Sequence, residues 1–238
     1  MSGEGLEAMR SKIPKWETEL WSYISCGNGM SCPLYNHCRI RERGGCCPSD
    51  EREHLNQLLD ETQYNPHSFD FIRSECGCGG PGRVFQLVEM LAQQCLKLGK
   101  AHYPPVPTGL VKIFDQQHTI EIRQLPLKAY HGAIWRWKDR WVIQLKEGDS
   151  SAIKRFTLFH EAFHILAHRR TTPVFSKVGS MVGRFNELLA DEFATCILMP
   201  RECIEENWVK VRDLDRMAEI FDVPKSAICL RLRQLGLI

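Results

Sequence analysis

No run of apolar residues in this 238-residue sequence approaches the roughly 20 needed to span a bilayer. The stretch from Met1 to Lys15 also lacks the hydrophobic segment of a signal peptide, so a cytoplasmic protein with no membrane partner is expected. Neither charge dominates: 31 Lys and Arg against 29 Asp and Glu leave a formal charge of +2, which gives no global pull toward nucleic acid or membrane. With 43% hydrophobic and 25% charged residues, long disorder is not expected, and the length allows one core of ordinary size plus a smaller module. Cysteine is plentiful at eleven residues, yet no Cys-x2-Cys pair occurs. In a reducing compartment these are thiols or metal ligands rather than disulfides.

The chain is organised around the run from Ser151 to His168, which has no Gly or Pro and carries apolar residues at helical spacing. Ser150 or Ser151 can cap its start. Inside it lies His160-Glu161-Ala162-Phe163-His164. On a helix the two histidines leave the same face and can grip one metal ion. Glu161 stands a step round, where it can take a proton from water activated by that metal. Alone, this motif is only moderately specific, since a helix can carry two histidines and a glutamate with no metal at all.

The segment from Glu187 to Pro200 supplies what a metal site still needs. It reads as a second helix, stopped near Pro200, with Glu187 and Asp191 one turn apart on one face. A catalytic zinc takes three protein ligands and keeps one position open. Glu187 can be the third ligand, and Asp191 can accept the outward N–H of a ligand histidine and fix its tautomer. Glu192 points well away from Glu187 around the helix. His168 continues the histidine face but stays outside the catalytic set, as a surface or supporting residue. Between the two helices, Arg169 to Gly183 reads as a loop.

Arg155-Phe156-Thr157, the His-Glu-x-x-His helix, Glu-x-x-Ala-Asp-x-Phe-Ala and Leu198-Met199-Pro200 together resemble the ImmA/IrrE metallopeptidases, with the glutamate-to-aspartate spacing of the gluzincin group. The resemblance covers roughly residue 82 to the end. It implies that His160, His164 and Glu187 bind zinc, that Glu161 is the general base, and that the substrate is a helix-turn-helix transcriptional repressor. Two residues depart from the family pattern: Phe163 stands where a glycine is common and Asp191 where asparagine is frequent. Phe163 either narrows the cleft or packs in the core.

Seven cysteines lie before that region: Cys26, Cys32, Cys38, Cys46, Cys47, Cys76 and Cys78, embedded in Gly-, Pro- and Ser-containing turns. A short amphipathic segment, Trp16 to Ile24, precedes them. So small a module has little apolar core and needs a staple. The candidates are a structural zinc, an iron–sulfur cluster, reactive thiols forming regulatory disulfides, or unpaired structural cysteines. The spacing Cys-x5-Cys-x5-Cys-x7-Cys-Cys fits no ferredoxin pattern and does not identify a metal.

Gly79-Gly80-Pro81-Gly82 is the expected hinge, dividing a Cys-rich module (1–81) from a peptidase domain (82–238). Arg83 to Lys97 reads as a helix ending at Gly99, with Val84, Leu87, Val88, Leu91 and Cys95 on one face. Thr119–Leu125, His131–Trp137 and Arg140–Leu145 read as strands, the last two joined by a tight turn at Lys138-Asp139. The expected fold is α+β: a small antiparallel sheet packed on the peptidase helices, burying Trp135 and Trp137 as well as Trp141, Ile143 and Leu145. A sheet edge could align an extended substrate as an added strand. At the end, a helix to Phe221, a turn at Asp222-Val223 and a helix opened by Pro224 have helix-turn-helix rhythm. As a DNA reader this hairpin would present Lys225, Ser226, Arg231 and Arg233 to a groove; otherwise it simply packs.

These readings converge on a zinc-dependent endopeptidase that cleaves a repressor in response to a signal sensed by the Cys-rich module. The alternatives are a metal- or redox-responsive DNA-binding regulator with a non-catalytic core, and an adaptor that only binds a repressor. The intact Glu161 weighs against both, because binding alone does not need that carboxylate.

Overall fold

The computed structural model describes residues 14–25, 83–170 and 181–238. The cysteines from Cys26 to Cys78, the Gly79–Gly82 hinge, most of the expected loop between the ligand helices and the His168 side chain lie outside the described residues.

The described elements are α1 (Lys15–Ser25), α2 (Arg83–Leu98), a 3-10 turn (Thr108–Ile113), β1 (Thr119–Leu125), β2 (Gly132–Trp137) and β3 (Arg140–Lys146), followed by five helices. These are α3 (Ser151–Arg170), α4 (Met181–Leu198), α5 (Arg201–Val211), α6 (Leu214–Phe221) and α7 (Lys225–Gln234). α3 and α4 are longer than their motifs suggest, so the expected 169–183 loop is shortened at both ends. None of these helices is long and apolar enough to cross a membrane.

The architecture is α+β, but the sheet is mixed rather than antiparallel. Its order is β1-β3-β2, with β3 antiparallel to β2 and parallel to β1. Register decides which face is buried. Ile134 pairs with Ile143 and Arg136 with Trp141, so Trp135 and Trp137 lie on the opposite face from the Trp141–Ile143–Leu145 row. That row packs inward, each residue at most 5% exposed. Trp135 and Trp137 remain 38% and 51% exposed, contrary to the expectation that the metal helix would bury them.

α3 packs on α4, on β2 and β3, and on the 3-10 turn; α4 packs on α2, and α2 on α1. The apolar faces explain this order. Leu158, Phe159, Ala162 and Phe163 of α3 meet a helix almost wholly apolar on the buried side, including Leu189, Phe193 and Ile197. α2 buries Val84, Leu87, Val88, Leu91 and Cys95, and burial pushes the Cys95 thiol up to about 12, as befits a core residue. At Gly99 a Cβ would stand 1.9 Å from Leu110 Cδ1, so the 3-10 turn packs directly against bare backbone. Leu20, Trp21 and Ile24 of α1 join the same core, and Glu19 pairs with Arg83 at 3.0 Å.

The last helices anchor the start of α3. Asp222, the left-handed cap between α6 and α7 (φ 48°), accepts hydrogen bonds from Ser151 Oγ (2.9 Å) and, through its carbonyl, from Arg155 Nε (3.1 Å). A second Arg155 nitrogen donates to Val106 O. Arg231 cannot read DNA, because it is fully buried. It donates to Met199 O (3.1 Å) and Glu89 (2.7 Å), tying α7 to α2 and to the end of α4. Lys225, another of the expected groove residues, pairs with Asp215 at 2.8 Å.

Candidate metal centre and cleft

Ser150 caps α3, its Oγ accepting from Ile153 N at 3.3 Å and its carbonyl from Lys154 N at 3.0 Å. From that start, helical spacing puts His160 and His164 one turn apart, ring centroids 5.2 Å from each other. α4 brings Glu187 and Asp191 against them. His160 Nδ1 lies 2.7 Å from Asp191 Oδ1, and its Nε2 3.0 Å from Glu187 Oε2. His164 Nε2 lies 3.5 Å from the other Glu187 oxygen.

A carboxylate at each ring nitrogen favours positive charge at His160. Burial alone would lower its pKa, but the hydrogen bonds to Asp191 and Glu187, with the charges of Asp191 and Glu161, raise it to about 10. His164 goes the other way, down to about 4, through burial first and then the His160 charge. Glu187 is held below the usual carboxylate range: burial opposes this, and the His160 hydrogen bond and the histidine charges outweigh it.

Two imidazoles facing two carboxylates have the chemistry of a cation site. Ligand atoms of His160, His164 and Glu187 all lie within 4.8 Å of one another. Two imidazole nitrogens and one carboxylate oxygen form a donor set suited to a catalytic zinc, and Asp191 on the outer nitrogen of His160 leaves Nε2 facing inward. The residues present therefore fit the metal.

Glu161 faces the cleft but is only 9% exposed. Burial raises its pKa to about 7, with Glu187 and Asp191 adding to the shift and the His160 charge opposing it. A carboxylate tuned near neutrality is suited to both accepting and returning a proton. Glu192, by contrast, is 1% exposed on the far side of α4, where it accepts from Gln234 Nε2 at 3.1 Å. Phe163 packs in the core, 1% exposed and 5.4 Å from the Phe193 ring, so it does not narrow the cleft.

The cleft has a volume of about 340 Å³ and is lined by Ile134, Trp135, Arg136, Trp141, Glu161, His164 and Glu187. Three of these are consecutive residues of β2, as when a strand meets a cleft with its edge. Two features of this wall escape motif reading. Gly132 stands so close to α3 that an added Cβ would lie 2.4 Å from Thr157 Cγ2 and 3.0 Å from Glu161 Oε1. A glycine opening a strand is the signal that could have found it. The second is a relay. Trp141 Nε1 donates to Asp115 Oδ2 (2.9 Å), His118 Nδ1 donates to the same oxygen (2.8 Å), and His118 Nε2 accepts from Arg136 Nη2 (2.6 Å). Asp115 also caps its own turn, its Oδ1 accepting from Gln117 N at 2.9 Å, and that side-chain turn was the legible cue.

Comparison with curated proteins finds no match. A family model described as the IrrE N-terminal-like domain, peptidase M78, matches residues 115–233. The match starts at Asp115, later than the residue 82 expected from the motifs, and takes in the cleft wall together with both ligand helices. Spanning half of the chain and all of the site just described, it shows that the protein belongs to the IrrE-like peptidase M78 family.

Proposed function

We propose that the protein is a zinc-dependent endopeptidase. One observation carries this reading: two helices bring His160, His164 and Glu187 within 4.8 Å of one another, with buried Glu161 beside them on the wall of one cleft. His160, His164 and Glu187 would hold the ion, with Asp191 orienting His160. Zinc bound there supplies a Lewis acid that acidifies water and polarises a carbonyl. Glu161 takes the proton of the attacking water and delivers it to the leaving amine nitrogen as the peptide bond breaks. β2 has β3 on one side only among the described residues, so an extended substrate segment can add along its other edge.

The proposed substrate is a helix-turn-helix repressor, the class implied by the family resemblance, with Cys26, Cys32, Cys38, Cys46, Cys47, Cys76 and Cys78 forming the module that senses the releasing signal. Division of the chain near residue 81 is part of the same proposal. Metal analysis of anaerobically purified protein should find about one zinc that the His160→Ala, His164→Ala double variant loses. Glu161→Gln should keep the zinc and stop cleavage. New N-termini within a helix-turn-helix protein, in cells producing wild type but not Glu161→Gln, would identify the substrate. Equal cleavage by both forms would remove Glu161 from the reaction.

A further inference from the structure

Arg136 is a cation on the wall of the cleft with no acidic partner among the described residues. Among the described residues its only side-chain hydrogen bond goes to His118 Nε2, and its guanidinium lies 5.7 Å from the centre of the Trp141 ring. Other arginines are placed differently: Arg123 and Arg140 pair with Glu121, Arg155 with Asp222, and Arg231 with Glu89. Arg136 is also exposed, so its unused donors are open to a ligand.

Its position is nonetheless fixed. Asp115, 4% exposed, accepts from both Trp141 and His118. With Nδ1 donating to Asp115, His118 turns the lone pair of Nε2 toward Arg136. Trp141 then serves twice, as donor to Asp115 and as the ring beneath the guanidinium. One N–H bond to His118 leaves the rest of the planar fork free, and such a fork matches a carboxylate bidentately. Arg136 also lies on β2, two residues beyond Ile134, beside the edge available to an extended peptide.

We propose that Arg136 is a specificity-determining residue that takes a peptide carboxylate in the cleft, and that Asp115 and His118 are positioning residues that hold it there. The inference rests on the peptidase reading for the identity of its ligand as a peptide. The expected carboxylate is an Asp or Glu side chain close to the scissile bond; a chain-terminal carboxylate has the same chemistry.

The test uses the full chain, zinc-loaded, and a library of randomised ten-residue peptides in C-terminally amidated and free-acid forms. Cleavage products of wild type should be enriched in Asp or Glu at one position near the cut. The ratio of acidic to neutral turnover should fall about ten- to a hundredfold in Arg136→Gln, the range for loss of a hydrogen-bonded charge pair. Arg136→Lys should fall between, and Arg136→Glu should favour Lys or Arg at that position. Zinc content and unfolding temperature show whether each variant is folded. His118→Ala should lower the same ratio with zinc content unchanged, a readout that loss of packing alone would not move. Enrichment confined to free-acid peptides supports the terminal carboxylate as the group taken. No acidic enrichment, or an enrichment that Arg136→Gln retains, overturns the proposal. A second arm uses immobilised, zinc-loaded Glu161→Gln protein to capture peptides without cutting them. If wild type cuts nothing while this protein captures acidic peptides and its Arg136→Gln version does not, the peptidase reading fails and the Arg136 assignment stands. Capture without charge preference, or no capture at all, overturns the assignment.

Discussion

Asp191 Oδ1 lies 2.7 Å from His160 Nδ1, so a side chain one turn beyond Glu187 fixes the ring whose other nitrogen faces Glu187. The family's frequent asparagine at this position offers only an amide oxygen to that nitrogen, whereas Asp191 offers a full negative charge. The departure noted in the sequence therefore strengthens the hold on His160.

Removing that partner should weaken zinc binding while leaving the three proposed ligands in place. Asp191→Ala is expected to cost about 10- to 100-fold in zinc affinity, and Asp191→Asn less, since the amide can still accept. Competition with a chromophoric chelator measures both. Wild-type affinity in Asp191→Ala would mean that packing alone orients His160.

Gly132 should tolerate no side chain. Gly132→Ala sets a methyl group 2.4 Å from Thr157 Cγ2 and 3.3 Å from Gln144 O, and so pushes β2 away from α3. The expected cost is about 1–3 kcal/mol in urea unfolding. Thr157→Ser removes the nearest clashing atom, so the double variant should recover part of that loss. A purely additive double-variant result would place the strain elsewhere.

Asp115 should give the protein an acid-sensitive component of stability. Burial acts to raise its pKa, but hydrogen bonds from Trp141, Gln117 and His118 overcome this and hold it at about 2, against an ordinary 3.8. A lowered folded value means the stabilisation is complete above the unfolded pKa and is lost as pH falls toward the folded one. From about pH 5 to about pH 2, wild type should lose about 2 kcal/mol more than Asp115→Asn. Unfolding curves of the two proteins that run parallel through that window would contradict the assignment.

Arg231 should behave as a core residue. Arg231→Met leaves Glu89 without its 2.7 Å partner, which should cost about 3 kcal/mol or more. Adding Glu89→Leu should return part of it, because the carboxylate that lost its closest cation, with Arg201 still 3.7 Å away, is then gone. A near-neutral Arg231→Met would fit a solvent-facing residue and contradict the packing.

How much of this was legible depended on how local each cause is. The pairing of His160 with His164, and of Glu187 with Asp191, follows from one helical turn, so spacing alone brought out the four residues that meet. The helix from Arg83 and the strands beginning at Thr119 and Arg140 were legible for the same reason. Sheet topology was not. The parallel pairing of β1 with β3 depends on the path of the chain from Leu125 to Gly132, which no short-range pattern encodes. Alternation correctly put Trp135 and Trp137 on one face, but only the register opposite Ile143 and Trp141 decides that this face is not the one carrying the buried Trp141–Ile143–Leu145 row. The Arg136–His118 contact joins residues 18 apart and the Trp141–Asp115 contact residues 26 apart, so the relay exists only once the sheet has formed.

The tie between α3 and Asp222 also has a consequence for timing. The residue that receives Ser151 and Arg155 is translated 71 and 67 positions after them. During synthesis, the start of the helix carrying His160, Glu161 and His164 can meet Val106 and Gln124, which precede it, but leaves the ribosome long before Asp222 is made. Glu187 and Asp191 also precede that anchor. The proposed metal ligands can therefore gather before α3 makes its contact with Asp222, which waits for the last two helices. In a nascent chain the four residues of the candidate site would meet before the last contact that fixes their main helix is made.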